Sequence, residues 1–404
     1  MTAAHLMKTY SPQPVAFARG EGAWLWDTEG KKYLDALAGI AVSGLGHGHP
    51  VLTRALAGQA GRLIHTSNLF RVVEQERAAQ KVCELAGMDN AFFCNSGAEA
   101  NECAIKLARL HGHQRGIENP SIVVMEKAWH GRTLATLSAT GSRKAQAGFE
   151  PLMGGFLRVP YNDIGAIERL SEHPSVVAVL LEVLQGEGGI HVADREYLRK
   201  LRELCDRRQW LLMIDEVQSG IGRTGRMFAA HHTGVVPDIM TLAKGLGSGM
   251  PIGLVVAKKR HMELWKRGAH GNTYGGNPVC CAAAIATLDL VEREYMANAA
   301  EVGAYFMRRL REWQSREPRI GEVRGHGLFI GMELVAGAGD RTPARQLCDD
   351  LVTRAYHNGL LLLSCGVSTV RFMPPLLISR ADVDEAMTIL EESLAEATAA
   401  GARA

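Results

Sequence analysis

Continuous apolar runs recur along the first two thirds of the chain, and segments with helical spacing of apolar residues separate them. Residues 122–125, 176–181 and 210–214 are three such runs. Short uninterrupted apolar runs are typical of parallel strands that are buried on both faces. Their alternation with helical segments from about residue 51 to 280 therefore predicts a doubly wound α/β sheet.

The two ends of the chain have different patterns. Residues 23–35 place turn-forming residues between two aromatic and apolar runs, which predicts two short strands around a turn. Beyond residue 285 the helical patterns lengthen, as in residues 381–400. We therefore expect an N-terminal segment that joins a small α+β domain, a large domain and a C-terminal small domain, over residues 1–50, 51–284 and 285–404.

Charged residues follow two of the predicted strands. The run 210–214 leads directly into Asp215, and a second short run leads into Lys244 and a glycine-rich stretch. The carboxyl ends of such strands face the ligand crevice. A buried lysine is costly unless it is paired, deprotonated or used covalently, although a lysine at this place also reaches solvent in many proteins. Together the two residues are the pair that pyridoxal phosphate requires, a Schiff-base lysine and an acid that keeps the pyridine nitrogen protonated.

A phosphate site is predicted where the short strand 91–94 gives way to a helix. Asn95, Ser96 and Gly97 open an amphipathic segment, and the free amides and dipole of a helix start favour an anion. An ordinary helix cap has the same residues. The lysine and aspartate at the neighbouring strand ends favour the phosphate interpretation.

Two other motifs resemble a dinucleotide site and a metal site, but their spacing argues against both. Residues 220–225 match G-x-G-x-x-G, but five residues separate them from the strand, and Lys244 occupies the region where a ribose-binding acid is required. The paired histidines at 47 and 49, 111 and 113, and 231 and 232 lack a Glu or Cys at ligand spacing. We expect no metal site.

Composition narrows the class of protein further. The chain has 404 residues, 47% of them hydrophobic, with 45 basic and 43 acidic residues and no basic run, so a nucleic-acid partner is not indicated. No stretch approaches membrane-spanning length, and the first ten residues lack an apolar signal core. Eight cysteines without a C-x-x-C pair are typical of reduced core residues. We expect a cytoplasmic enzyme.

Several spaced motifs together identify a family. They are residues 39–50, 65–70, 95–102, 129–133, 182–189, 215–218 and 273–278. Over nearly its whole length the chain resembles the class III, fold type I pyridoxal-phosphate aminotransferases. The resemblance implies a large, mainly parallel sheet domain with a smaller α+β domain, and an obligate homodimer with shared active sites.

The resemblance assigns roles around the cofactor. Lys244 is implied to be the covalent lysine and the acid/base, and Asp215 the partner of the pyridinium nitrogen. Gln218 is implied to hydrogen-bond the phenolic oxygen. Val217 and Trp129 are implied to cover the two ring faces, with Trp129 standing where relatives often carry Phe or Tyr.

The phosphate contacts follow from the same resemblance. Ser96, Gly97 and Ala98 are implied to bind the phosphate, the last two through their backbone amides. Thr273 is implied to add a hydroxyl from the neighbouring subunit, although Thr273 and Asn272 also suit a plain turn.

Substrate carboxylates are implied to bind arginines, because a guanidinium grips a carboxylate with two parallel hydrogen bonds. Arg132, with Asn272 close by, matches the binder of the α-carboxylate of the amine donor. Arg371 matches the binder of the α-carboxylate of glutamate or 2-oxoglutarate, and Glu187 the switch that neutralises it while a monocarboxylate donor is bound. As isolated arginines, both occur more often in surface or ion-pair roles.

One departure from the family lies beside that switch. Val183 and Leu184 stand where relatives usually have Pro followed by Val or Ile. The local turn is therefore expected to differ, with Glu187 still within reach of Arg371.

The implied activity is transfer of the terminal amine of N-acetylornithine to 2-oxoglutarate by a ping-pong mechanism, which gives N-acetylglutamate 5-semialdehyde and glutamate in arginine biosynthesis. Residues 41–43 and 65–68 favour the subgroup with this donor. Succinylornithine, succinyldiaminopimelate, ornithine and 4-aminobutyrate remain alternative donors, and an aminomutase or decarboxylase is an alternative activity. A transcription regulator on this scaffold requires a DNA-binding module, for which the chain shows no basic segment.

Overall fold

The computed structural model describes residues 5–401, and its largest sheet is the doubly wound sheet that the sequence predicts. Neighbouring strands are parallel, except that Gly253–Ala257 runs antiparallel to both of its neighbours. Across the sheet the order is Asn90–Cys94, Gly253–Ala257, Ile239–Leu242, Leu211–Asp215, Val176–Leu181, Ser121–Met125 and Phe156–Val159.

Both faces of this sheet are covered by helices. In the strand Val176–Leu181 every residue is buried. Val179 packs in one apolar cluster with the helix Arg195–Arg208, whereas its neighbour Ala178 packs on the opposite face with the helix Gly97–Gln114. Burial on both faces is the reason that these strands read as unbroken apolar runs.

The N-terminal strands form a separate sheet. Phe17–Glu21, Trp24–Asp27 and Lys32–Asp35 are antiparallel, which confirms the predicted pair of strands around a turn. A short strand from far along the chain, Leu360–Leu361, pairs in parallel with Lys32–Asp35. The first and last parts of the chain thus share one sheet.

The C-terminal part contains an antiparallel sheet covered by helices. Its strands are Ile320–His326, Phe329–Gly337, Asp340–Pro343, Leu363–Cys365 and Thr369–Phe372. The predicted terminal helix spans Arg380–Gly401. It buries residues at helical spacing, namely Val383, Ala386, Met387, Leu390, Leu394 and Ala397.

The remaining elements connect these sheets. The hairpin Leu184–Gln185 and His191–Val192 lies beside the large sheet. Single-turn 3₁₀ segments are Ala229–His232 and Lys244–Leu246, and Val291–Tyr295 is a π-helical segment. The other helical segments are Ala38–Ala41, Pro50–Ala60, Val73–Ala86, Leu134–Ala139, Arg143–Gln146, Ile164–Glu168, Lys259–Met262, Pro278–Leu290, Met296–Gln314 and Arg345–His357.

The cysteines have the predicted core role. All eight are free thiols, and seven of them are buried. Burial raises the pKa of Cys205 to about 12, so this thiol stays protonated and unreactive. Among residues 5–401, none of the helices combines the length and apolar character needed to cross a bilayer.

Candidate active site

A cavity of about 600 Å³ opens at the carboxyl edge of the parallel strands. Glu182 and Asp215 line it from the ends of two adjacent strands, and Lys244 follows a third. The start of the helix Gly97–Gln114 closes another side. The structure therefore brings together the lysine, the aspartate and the helix start that the sequence singles out.

Asp215 is held by three hydrogen-bond donors at the base of the cavity. Its Oδ2 accepts from the Asn101 amide and from His130 Nδ1, both at 2.8 Å, and its Oδ1 accepts from the backbone N–H of Val217 at 3.0 Å. The Thr241 hydroxyl donates to Asn101 Oδ1 at 2.8 Å and fixes the orientation of that amide. This network keeps an acid in one position for a protonated ring nitrogen.

His130 and Asn101 are residues that the sequence did not single out. Both lie inside motifs that identify the family, but their contact with Asp215 joins segments that are far apart in sequence. His130 is buried, and its Nε2 has no partner among the described residues. The only signal was their position within those motifs.

Lys244 begins the 3₁₀ turn after its strand in a left-handed conformation, with φ +44°. A residue with a side chain is strained there, and such strain is common at functional sites. Burial lowers the pKa of the Lys244 ammonium, and the opposing charges of Glu187 and Asp215 do not cancel that effect. A lysine that loses its proton more easily is a better nucleophile.

The helix start has the form of an anion site. The Ser96 hydroxyl accepts from the backbone N–H of Glu99 at 3.2 Å, and Glu99 Oε2 accepts from the backbone N–H of Asn95 at 2.6 Å. In the described chain the amides of Gly97 and Ala98 stay without such a cap, and both residues line the cavity. A Cβ at Gly97 would lie 2.6 Å from Val217 Cγ1, so only glycine permits this close approach.

Trp129, Val217 and Gln218 line the space between the helix start and Asp215. Gln218 is almost fully buried, yet its Oε1 has no partner within residues 5–401. Its amide nitrogen lies 3.5 Å from Glu187 Oε1. Trp129 and Val217 offer apolar surfaces for the faces of a flat ring, and the Gln218 amide offers a hydrogen bond to a polar group on its edge.

A salt bridge between Arg371 and Glu187 joins the C-terminal sheet to the hairpin at the cavity. Arg371 Nη1 donates to Glu187 Oε1 at 2.5 Å. Burial acts to raise the pKa of Glu187, but the charge and hydrogen bond of Arg371, together with Lys244 and Gln218, outweigh it and the net pKa is lowered. Despite Val183 and Leu184, Glu187 is within reach of Arg371, as predicted.

The remaining predicted residues lie apart from that salt bridge. Arg132 is exposed at the cavity, with its guanidinium carbon 4.6 Å from the ring centre of Trp129. Asn272 holds a turn by donating to the Phe93 carbonyl at 2.9 Å, and Thr273 is exposed beside it. Within one chain the structure brings neither Asn272 nor Thr273 into the cavity, because their turn lies outside its lining.

Glu182 is a further cavity residue that the sequence did not single out. Its Oε2 accepts from the Trp129 backbone N–H at 2.9 Å, and its Oε1 from that of Gly186 at 3.2 Å. Burial, followed by the negative charge of Asp215, raises the pKa of Glu182 above that of an exposed glutamate. The signal was available, since Glu182 follows an apolar run in the same way as Asp215.

These residues fit pyridoxal phosphate. The helix start suits a phosphate, Asp215 suits a protonated ring nitrogen, and Lys244 lines the same cavity. The buried, unpartnered Oε1 of Gln218 and Nε2 of His130 leave polar groups for a ligand between them. No group of three or more potential metal-ligating side chains occurs among the residues that the structure describes.

Comparison with known proteins gives a consistent result. The family model of aminotransferase class III matches residues 6–394. An acetylornithine aminotransferase of Nitrosomonas europaea is 50% identical over 391 residues, which cover 95% of this chain and 96% of the relative. One of Methanocaldococcus jannaschii is 45% identical over 392 residues, which cover 96% of each chain.

Solved structures agree in fold. The ornithine aminotransferase of Toxoplasma gondii has a TM-score of 0.92 at 34% identity, covering 97% of this chain and 93% of that chain. The acetylornithine aminotransferase of Elizabethkingia anophelis has a TM-score of 0.85 at 35% identity, covering 97% and 96%.

Proposed function

Because this chain belongs to the class III aminotransferases, we propose that it transfers the terminal amine of N-acetylornithine to 2-oxoglutarate. The products are N-acetylglutamate 5-semialdehyde and glutamate, and the pathway is arginine biosynthesis. Relatives named for this donor, 45–51% identical over about 95% of the chain, support the choice. The observation that carries the acceptor half is the buried Arg371, whose partner Glu187 lies 3.5 Å from the amide nitrogen of Gln218 in the lining of the cavity.

The enzyme uses pyridoxal phosphate, which supplies a ring that withdraws electrons from the substrate carbon. Asp215 would hold the proton on the ring nitrogen, and Asn101 and His130 keep its carboxylate in place. The Nζ of Lys244 would hold the cofactor covalently, and as a free amine it would take and return the proton at the substrate carbon. The lowered pKa of Lys244 supports both roles.

Arg371 and Glu187 allow one cavity to accept two kinds of substrate. The Nε and Nη2 atoms of Arg371 are buried without a partner in the part of the chain that the structure describes. They are available to grip a carboxylate of 2-oxoglutarate once Glu187 moves away. With a monocarboxylate donor Glu187 stays on Arg371, and Arg132 at the cavity entrance binds the donor α-carboxylate.

We propose a homodimer in which Thr273 reaches the partner's cofactor phosphate. The turn that carries Thr273 adjoins an exposed apolar surface, and the Asn68 amide donates to the Gly275 carbonyl at 3.1 Å to tie the two together. Large exposed apolar areas mark interaction sites. The exposed side chains are Leu63, Ile64, Leu69, Phe70, Val73 and Tyr274.

Two further assignments accompany this proposal. The pairing of Lys32–Asp35 with Leu360–Leu361 supports an N-terminal segment, 1–50, that belongs with the small domain, 285–404, around a large domain of 51–284. The free, buried thiols support a reducing compartment, namely the cytoplasm.

The first test is an absorbance spectrum of the purified protein with N-acetylornithine and no keto acid. We expect the visible band of the bound cofactor to convert to a near-ultraviolet band, which establishes the donor half-reaction. The same titration with ornithine, succinylornithine, succinyldiaminopimelate and 4-aminobutyrate ranks the alternative donors. A yellow protein that N-acetylornithine leaves unchanged rejects this donor, and a protein that takes up no pyridoxal phosphate rejects the whole assignment.

A further inference from the structure

We propose that Glu182 is a positioning residue that fixes the loop of Trp129 and the hairpin of Glu187 relative to each other. One oxygen of its carboxyl group accepts the backbone N–H of Trp129 at 2.9 Å, and the other accepts that of Gly186 at 3.2 Å. Trp129 lines the cavity, and Gly186 directly precedes Glu187. A single buried side chain thus connects the two segments.

The connection is rigid because the backbone of Glu182 is itself held. The Tyr161 hydroxyl donates to the carbonyl oxygen of Glu182 at 2.8 Å and to that of Val183 at 2.9 Å. Glu182 is only 5% exposed, so water does not compete for the two amides. A shift of either amide must therefore move the carboxyl group or break a hydrogen bond.

The two segments also contact each other directly. Gln185 Nε2 donates to the Glu126 carbonyl at 2.8 Å. A Cβ at Gly188 would lie 2.8 Å from the Lys127 carbonyl oxygen, so the two backbones are closely packed. Glu182 is placed to transmit a movement of Glu187 to the loop of Trp129, since it bonds to both sides of this contact.

This inference rests on the proposed function, but its first test needs neither substrate nor cofactor. Hydrogen exchange is measured on the cofactor-free full chain for Glu182→Gln. Glutamine accepts one amide and turns its own N–H groups toward the other. Loss of one such hydrogen bond corresponds to roughly tenfold faster exchange. Because the same side chain holds both segments, we expect loss of either bond to speed exchange in both, 127–130 and 185–188.

Glu216→Gln is the matched control. Glu216 is also a buried glutamate at a strand end, and it accepts the backbone N–H of Ala230 at 2.8 Å. Its replacement is expected to speed exchange around Ala230 and to leave the segments 127–130 and 185–188 unchanged. Glu182→Asp is the second variant, because the shorter side chain cannot span both amides. It replaces Glu182→Gln if that variant does not fold.

Steady-state kinetics with the loaded enzyme give the second readout. Because the hairpin positions Glu187, which neutralises Arg371 while the donor is bound, Glu182→Gln is expected to raise KM for the amine donor severalfold and to leave KM for 2-oxoglutarate nearly unchanged. A mere loss of active protein lowers only kcat. Faster exchange in one segment alone, unchanged exchange in both, or an unchanged KM for the amine donor overturns the inference. If N-acetylornithine is not the donor, the exchange result still holds, so failure of the two proposals is distinguishable.

Discussion

The guanidinium of Arg371 is fully buried and bonds to Glu187 through Nη1, while its Nε and Nη2 have no partner in the described part of the chain. A buried charge that is only partly hydrogen-bonded is costly. A carboxylate ligand that occupies the two free donors removes that cost. The two unpartnered donors of Arg371 therefore favour an acceptor that carries a second carboxylate.

Replacing Arg371 by Ala removes the proposed acceptor site. Loss of a buried, charge-assisted pair costs about 3 kcal/mol, so kcat/KM for 2-oxoglutarate should fall by roughly a hundredfold or more. Single-turnover kinetics of each half-reaction measure this. Arg132→Ala is the matched comparison, because it should slow the N-acetylornithine half-reaction instead. Normal turnover of Arg371→Ala at low 2-oxoglutarate would show that Arg371 is not the acceptor site.

Replacing Glu187 by Gln removes the negative charge that neutralises Arg371. Glutamine still accepts a hydrogen bond, so the fold should survive, but Arg371 keeps an uncompensated charge while the monocarboxylate donor is bound. We expect the N-acetylornithine half-reaction to slow by about tenfold, the effect of roughly 1.4 kcal/mol. The half-reaction with glutamate should change little. Equal slowing of both half-reactions would contradict the proposal that Glu187 neutralises Arg371 only while the donor is bound.

Replacing Gly97 by Ala places a methyl group 2.6 Å from Val217 Cγ1. Overpacking of this kind costs about 1–3 kcal/mol. We expect weaker pyridoxal phosphate binding in fluorescence titrations together with a lower free energy of unfolding. Gly58→Ala is the control, since it lies in the helix Pro50–Ala60 with nothing within 4 Å of its Cβ position. That change should be neutral or slightly stabilising.

Replacing Glu216 by Gln changes how stability depends on pH. Burial raises the pKa of Glu216 from 4.5 to about 7, and hydrogen bonds from Ser219 and Ala230 only partly offset it. Between these values the folded protein keeps a proton that the unfolded chain has released, so the free energy of unfolding falls as pH rises.

Glutamine at position 216 has no proton to lose and removes that part of the slope. Urea unfolding of the cofactor-free proteins measures this. From pH 4.5 to 7 the free energy of unfolding of the variant should rise relative to that of the wild type, by at most about 3 kcal/mol. Parallel pH curves for the two proteins would contradict the shifted pKa.

Local patterns predicted much of the fold and of the site. Unbroken apolar runs marked the strands of the large sheet, and the residues that follow them marked Asp215 and Lys244. Periodicity does not specify which strands pair. The antiparallel strand Gly253–Ala257, inserted beside Asn90–Cys94, was therefore not predicted.

The missed site residues have a similar explanation. Asn101 and His130 act through Asp215, and their bonds join residues 114 and 85 positions apart. Such contacts depend on how the helices and loops pack on the sheet, which the residues alone do not reveal. The sequence allowed a turn role for Asn272, but its partner, the Phe93 carbonyl, lies 179 positions away and became visible only in the structure.

The parallel pairing of Lys32–Asp35 with Leu360–Leu361 sets an order for biosynthesis. During translation, the first strands emerge from the ribosome long before the strand that completes their sheet. Until then the nascent chain presents an open strand edge, which is a site for unwanted association. A product cut short before residue 360 would keep that edge permanently, which makes it a natural target for chaperones and proteases.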